Sequence, residues 1–204
     1  MDNILLTIIV PVYNYPEVDK ALDSIPQRSD IEILIVDDGS TDETPNVINK
    51  WIFSHLSQNV RVIRHGWNMG LGAAKNTGFD NAKGMYVTQL DSDDYLYTNE
   101  YNKVINRLDG TDIVYIDMQV NDGLVFAIDE SSRRGFCSGC ARLIRRDFLG
   151  DIRCPEIQAG EDWYLSEELL KKNPTEKFTR VVAYHYNYPR EGSLFDKLVK
   201  GEIK

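Results

Sequence analysis

Apolar residues along this chain recur at two periods that take turns. Continuous β-branched runs at 7–12 (TIIVPV) and 31–36 (IEILIV) predict strands buried on both faces of a parallel sheet. Pro11 has no N–H to give a ladder, so the first strand is expected to end there or to lie unpaired. Between the runs Val18, Ala21, Leu22 and Ile25 return at helical spacing as far as Pro26. After the second run Asp37, Asp38, Gly39 and Ser40 form a turn. Ser40 or Thr41 can then cap a helix that carries Asp42 and Glu43 in its first turn and Val47, Ile48, Trp51, Ile52 and Leu56 on its apolar face. A third strand at 60–63 follows, then a loop with Asn68, Gly70 and Gly72, a helix at 73–83 ended by Gly84, and a fourth strand at 85–90.

Four such repeats of strand, loop and helix predict right-handed crossovers and a mostly parallel sheet whose loops gather on one edge. That edge is expected to bring together Tyr13, Asp38, Lys75 and the acids from Asp91 to Asp93. Beyond it the pattern predicts a helix at 100–108, a strand at 113–117 and a hairpin within 114–128 turned by Asn121, Asp122 and Gly123. Gly160, Glu161 and Asp162 open a helix at 163–172 with Trp163, Leu165, Leu169 and Leu170 for packing. A strand at 179–188 containing His185 and a short helix at 192–200 complete the reading.

The chemistry concentrates where the fourth strand ends. Asp91, Ser92, Asp93 and Asp94 place three carboxylates in four residues at the carboxyl end of a strand, where open α/β sheets bind ligands. Their mutual repulsion is most simply offset by a divalent cation, and hard oxygen ligands suit Mg²⁺ or Mn²⁺. A solvated acidic turn would look the same in isolation.

Composition narrows the classes. A length of 204 residues suits one domain, and no apolar run reaches membrane-spanning length. The amino-terminal run has an acidic start and no small-residue cleavage site, so the expected location is the cytoplasm. A net charge of −9 does not favour nucleic acid as a partner and fits an enzyme that meets anionic substrates through a metal. Cys137, Cys140 and Cys154 make no even disulfide set, and Cys137 with Cys140 is half a zinc site at most, so buried thiols are expected. Arg133, Arg134, Arg142, Arg145, Arg146 and Arg153 face only Asp147 and Asp151 over 133–153. This island is either a solvated helix face or a patch for an anionic ligand such as the acceptor.

The segments TIIVPVYN, VDDGSTDET, NMGLGAAKNTGFDNAKGMYVTQLDSDD and GEDWYL, in this order and with these gaps, resemble glycosyltransferase family 2, the inverting enzymes of the GT-A fold. The likeness runs over 7–170, with a weaker echo in 184–194. It implies an α/β, Rossmann-like GT-A fold in one domain, in which 1–94 binds the nucleotide sugar and 95–204 holds the acceptor and the catalytic base. The resemblance assigns Pro11, Tyr13 and Asp38 to the nucleotide base and counts Asn14 and Ser92 among the donor-site residues. It makes Lys75 the basic side chain of the Gly-rich loop, where arginine is commoner. Asp91 falls near the ribose, and Asp93 on the metal that bridges the diphosphate, with Asp91 and a late histidine, here His185, as further metal ligands. Asp162 becomes the base, and a UDP-sugar the preferred donor. A non-catalytic module that binds nucleotide sugars would keep every donor contact, although Asp162 speaks against it. A transferase acting on modified DNA bases differs only in its acceptor.

Overall fold

The computed structural model describes residues 4–121, 123–133, 139–157 and 160–188. The predicted Arg134, Cys137, Asp122 and the helix at 192–200 lie outside them. One sheet runs through the described residues, with its strands in the order 59–64, 31–37, 6–12, 86–89, 142–145, 113–120, 176–186 and 95–96, and with 125–126 paired to 113–120. Its first half is the predicted one: β1 (Leu6–Val12), β2 (Ile31–Asp37), β3 (Asn59–Arg64) and β4 (Tyr86–Gln89) are parallel neighbours. The helices between them are α1 (Asp19–Asp23), α2 (Thr44–Ser54) and α3 (Leu71–Asn81). Every residue of β1, β2 and β4 is buried, whereas β3, at the edge of the sheet, exposes alternate positions. The apolar runs were continuous because both faces of those strands are covered.

One expectation is corrected in β1. The strand does not stop at Pro11 but continues through it, with Pro11 opposite Val36 and Val12 opposite Asp37. The Val12 carbonyl accepts from the Asp38 N–H on the β2 side, and the Ile9 carbonyl accepts from Leu90 on the β4 side. Backbone groups alternate in direction along a strand, so the Pro11 nitrogen faces the β4 side, where pairing has already ended at Ile9 and Gln89. No ladder bond is lost.

The second half is mixed. It contains β5 (Tyr95–Leu96), α4 (Thr98–Ile105), β6 (Ile113–Val120), β7 (Val125–Phe126), β8 (Arg142–Arg145), α5 (Arg146–Leu149), α6 (Glu161–Lys171) and β9 (Glu176–Tyr186). β6 and β7 form the predicted hairpin. β8 is antiparallel to both β4 and β6, and β9 is parallel to β6.

The described arginines of the island do not share a helix face. Arg142, Arg145 and Arg146 belong to β8 and the start of α5, and each described arginine has its own partner. Arg142 is buried and donates to Ser166 Oγ at 2.6 Å, Arg145 pairs with Asp112 at 2.7 Å, and Arg146 donates to the Gly84 carbonyl at 2.7 Å. Arg133 pairs with Glu176 at 3.1 Å and Arg153 with Asp80 at 2.6 Å. Trp163 is corrected as well: it is 50% exposed, and Leu165 and Leu169 carry the packing of α6.

Candidate active site

The loops after β1 and β2 are stitched together at their tips. Asn14, in a left-handed conformation, donates its N–H to Ser40 Oγ and accepts from the Thr41 N–H, each at 2.9 Å. Pro11 lies beneath in β1, and Tyr13 stands 44% exposed above. Asp38 is buried, and three donors already engage its carboxylate. Oδ1 meets His65 Nδ1 at 2.6 Å and the Met69 N–H at 2.9 Å, and Oδ2 accepts from the Gly70 N–H at 2.8 Å. His65 Nε2 rests on Thr77 Oγ1 of α3 at 2.9 Å. Asp38 thus builds the Gly-rich loop. Gly39 makes this possible, because its φ is +75° and a Cβ there would lie 2.5 Å from the Trp67 carbonyl carbon.

The turn after β4 sorts its acids by environment. Asp94 is buried, accepting from Tyr184 Oη at 2.6 Å and from the Asn187 N–H at 2.8 Å, so it anchors the turn to β9. Burial pushes its carboxyl up to about 8, with Asp91 and Asp93 adding to the rise. Asp91 is pushed up to about 7, first by burial and then by Asp93, Asp162 and Glu161, against the pull of Lys75. Its Oδ1 is enclosed and has no hydrogen-bond partner among the described residues. An orphaned carboxylate oxygen beside two further acids fits a divalent cation better than water alone, and the donors are the hard oxygens such ions take. Donor atoms of Asp91, Asp94 and Cys140 come within 4.8 Å of one another, although both Asp94 oxygens are already engaged. Ser92, Asp93 and His185 line one pocket of about 360 Å³ together with Tyr95 and Asn187. His185 stacks on Tyr95 at 4.1 Å, its Nδ1 is enclosed without a described partner, and burial lowers its pKa, which keeps the ring neutral.

At the head of α6 the neighbours Glu161 and Asp162 converge on one cation. Lys75 is 1% exposed and donates to Glu161 Oε1 at 2.6 Å and to Asp162 Oδ1 at 2.9 Å. Burial opposes its charge, but Asp162, Glu161 and Asp91 outweigh that and hold its pKa well above the ordinary lysine value. Burial likewise disfavours charge on Asp162, yet Lys75 and then Arg142 prevail, so its carboxyl lies below the usual range and is ionised at neutral pH. The Asp162 side chain stays 30% exposed. The Gln89 amide lies 3.4 Å from Asp162 Oδ1, and turned over it accepts from Lys75 Nζ and the Cys140 N–H at 3.3 Å. Gly139 lies against the same oxygen: a Cβ there would fall 2.4 Å from Asp162 Oδ1.

The electrostatic neighbourhood of Asp91 includes Lys75, Glu161 and Asp162. The sheet has therefore brought the acidic turn and the head of α6 to one place, with Lys75 between them; the expected edge included Lys75 and the acidic turn but not Asp162. Asp38 joins through the Gly-rich loop that leads into α3. Sequence reasoning missed His65, Gln89, Gly139, Arg142 and Tyr184. Only Arg142 carried a local signal, an isolated positive cluster, and its meaning lay in a tertiary contact with α6.

The description of glycosyl transferase family 2 matches residues 7–153. The uncharacterized glycosyltransferase EpsJ of Bacillus subtilis is 36% identical over 95% of this chain, and the UDP-Glc:alpha-D-GlcNAc-diphosphoundecaprenol beta-1,3-glucosyltransferase WfaP of Escherichia coli is 30% identical over 89% of it. The chain spans 49% of the length of EpsJ and 76% of that of WfaP. It spans 31% of glycosyltransferase GlyA of Streptococcus pneumoniae, which is 28% identical over 93% of this chain. Among solved structures, TarS of S. aureus (residues 1–349) in complex with UDP-GlcNAc superposes with a TM-score of 0.74 at 23% identity, covering 93% of this chain and 60% of that one. The mannosyltransferase PcManGT of Pyrobaculum calidifontis, in complex with GDP-Man and Mn²⁺, gives 0.72 at 20% identity, covering 92% and 58%. With the fold and the family match over the stretch that holds the acidic turn, the chain belongs to the glycosyltransferases of family 2 and carries their GT-A fold.

Proposed function

We propose that this protein transfers a sugar from a nucleoside-diphosphate sugar, a UDP-sugar before others, to an acceptor hydroxyl with inversion, using Asp162 as general base. The observation that carries the reading is the ionised, partly exposed Asp162 carboxylate, held by Lys75 beside the turn of Asp91. A carboxylate in that state takes the proton of the attacking hydroxyl as the new bond to the anomeric carbon forms. The bond to the diphosphate breaks on the opposite face, which inverts the centre. Asp91 and Asp93, with His185 across the pocket, would hold the Mn²⁺ or Mg²⁺. Such an ion supplies positive charge to the leaving diphosphate, and no general acid is then required. Pro11, Tyr13, Asn14 and Ser92 would line the donor site, on a frame that Asp38 keeps in shape. The UDP-GlcNAc complex of TarS and the UDP-Glc in the name of WfaP support a uridine nucleotide in the donor. The PcManGT complex supports a divalent ion. The arginines of 133–153 give no support to an anionic acceptor, since each described one is spent on an internal partner.

Calorimetry tests the donor side. UDP affinity is expected to fall at least about tenfold when a chelator replaces Mn²⁺, because diphosphate would then meet the acids bare. Unchanged affinity, or tighter binding of GDP, overturns the donor reading. Release of UDP from UDP-glucose or UDP-GlcNAc tests the base. Asp162→Asn should slow it by about 10² to 10⁴ while UDP binding survives. Equal rates in both proteins would remove Asp162 from the mechanism.

A further inference from the structure

The resemblance made Lys75 the basic side chain of the Gly-rich loop in the donor half, but the structure gives it other work. It is almost wholly enclosed, and its ammonium already carries two carboxylates, Glu161 at 2.6 Å and Asp162 at 2.9 Å. A phosphate approaching Nζ would have to break those bonds inside a closed space. Lys75 meets Oδ1 of Asp162 only, and no described residue donates to Oδ2 of that partly exposed side chain. Gly139 and Gln89 crowd the Oδ1 side so closely that the carboxylate cannot rotate toward them. From behind, Arg142 of β8 donates to Ser166 Oγ, and Ser166 donates to the Asp162 carbonyl at 2.7 Å, which fixes the first turn of α6.

We infer that Lys75 is a positioning residue for the base: it clamps Asp162 by Oδ1, presents Oδ2 to the acceptor hydroxyl, and takes no part in holding the donor. The inference rests on Asp162 being the base. The clamp also sets the pH range of that base. Among the described residues, the groups that face Asp162 are Lys75 from α3, Arg142 from β8, Glu161 from α6, Asp91 from the turn after β4 and Cys154 from the segment before α6, with the neutral Gln89 and Ser166 beside them. Of these only Lys75 touches the carboxylate with a charge. Glu161 is its second counter-ion, so Glu161→Gln is no neutral control for Asp162.

The experiment compares Lys75→Met and Lys75→Arg with the wild type, using UDP for calorimetry and UDP-glucose with Mn²⁺ for turnover. Lys75→Met should leave UDP affinity within about twofold, lower turnover by about tenfold or more, and move the acid limb of the turnover profile up by about 1 to 3 pH units, since the carboxylate loses its cation. Lys75→Arg should restore the limb. Weaker UDP binding by Lys75→Met with the limb in place would overturn the clamp and return Lys75 to the donor. If Asp162→Asn turns over at the wild-type rate, the base reading fails instead. Thermal unfolding decides between contact and no contact whatever the turnover. The loss of melting temperature in Lys75→Met should shrink by at least about half in an Asp162→Asn background, and strictly additive losses would overturn the pairing.

Discussion

Glu161 and Asp162 are adjacent, equally charged and bound to the same ammonium, yet they differ in what they can reach. Glu161 is buried and serves Lys75, whereas the Asp162 side chain keeps 30% of its surface. Sequence alone read both as acids in a helix's first turn, and only the resemblance singled out the second. Asp91 and Asp93 were legible as acids crowded just past the end of a strand. Gln89 and Gly139 were not, since their roles exist only once β4, β8 and α6 have met. Gly139 yields the sharpest test at this scale. A Cβ would fall 2.3 Å from Gln89 Nε2 and 2.4 Å from Asp162 Oδ1, so Gly139→Ala must push the carboxylate aside. Displacement of a reacting group by about 1 Å can cost about 10²-fold in rate. Turnover of Gly139→Ala should drop on that order while calorimetric UDP affinity holds, and a parallel loss of both would place the damage elsewhere.

Among the elements, the first half of the sheet was readable because β1, β2 and β4 are covered on both faces and α1 and α2 each show one apolar stripe. The second half was harder. β5, β7 and β8 span two, two and four residues, too short for a period to show, and pairing with neighbours alone makes them strands. β8 hid among arginines for the same reason, and the burial of Arg142 rests on a contact with Ser166 that exists only once α6 has packed. The fit of α3 on β1 gives a measurable consequence. A glycine inside an exposed helix normally gains about 1 kcal/mol of stability on becoming alanine. At Gly78 the sign should reverse, because the added carbon would sit 2.3 Å from Ile9 Cγ2 in the core. Overpacking of this kind costs about 1 to 3 kcal/mol, so Gly78→Ala should lower the urea midpoint, and a raised midpoint would refute the close approach.

For the molecule as a whole, the two halves of the chain are joined by more than the sheet. Asn76 of α3 donates to the Cys154 carbonyl and accepts from the Cys154 N–H, both at 2.8 Å, which ties the first half to the segment before α6. Burial, foremost, pushes the Cys154 thiol up to about 12. Raised above its unfolded value, that thiol contributes stability fully below about pH 9 and loses the contribution as pH climbs toward about 12. Alkylation near pH 8.5, the ordinary thiol value, should therefore spare Cys154 in the native protein and label it in urea, as peptide mapping would show. Rapid native labelling would mean that the junction opens. No helix among the described residues is long and apolar enough to cross a membrane. The continuous strand through Pro11 has a last consequence at this scale. In the β1–β4 register Ile9 faces Gln89, so the next inward-facing pair would set Pro11 against Asp91. A nitrogen without a proton stands where the seam would otherwise zip onward. The chain after Leu90 leaves the seam at the residue where its acids begin, opposite a backbone nitrogen that has no hydrogen to donate.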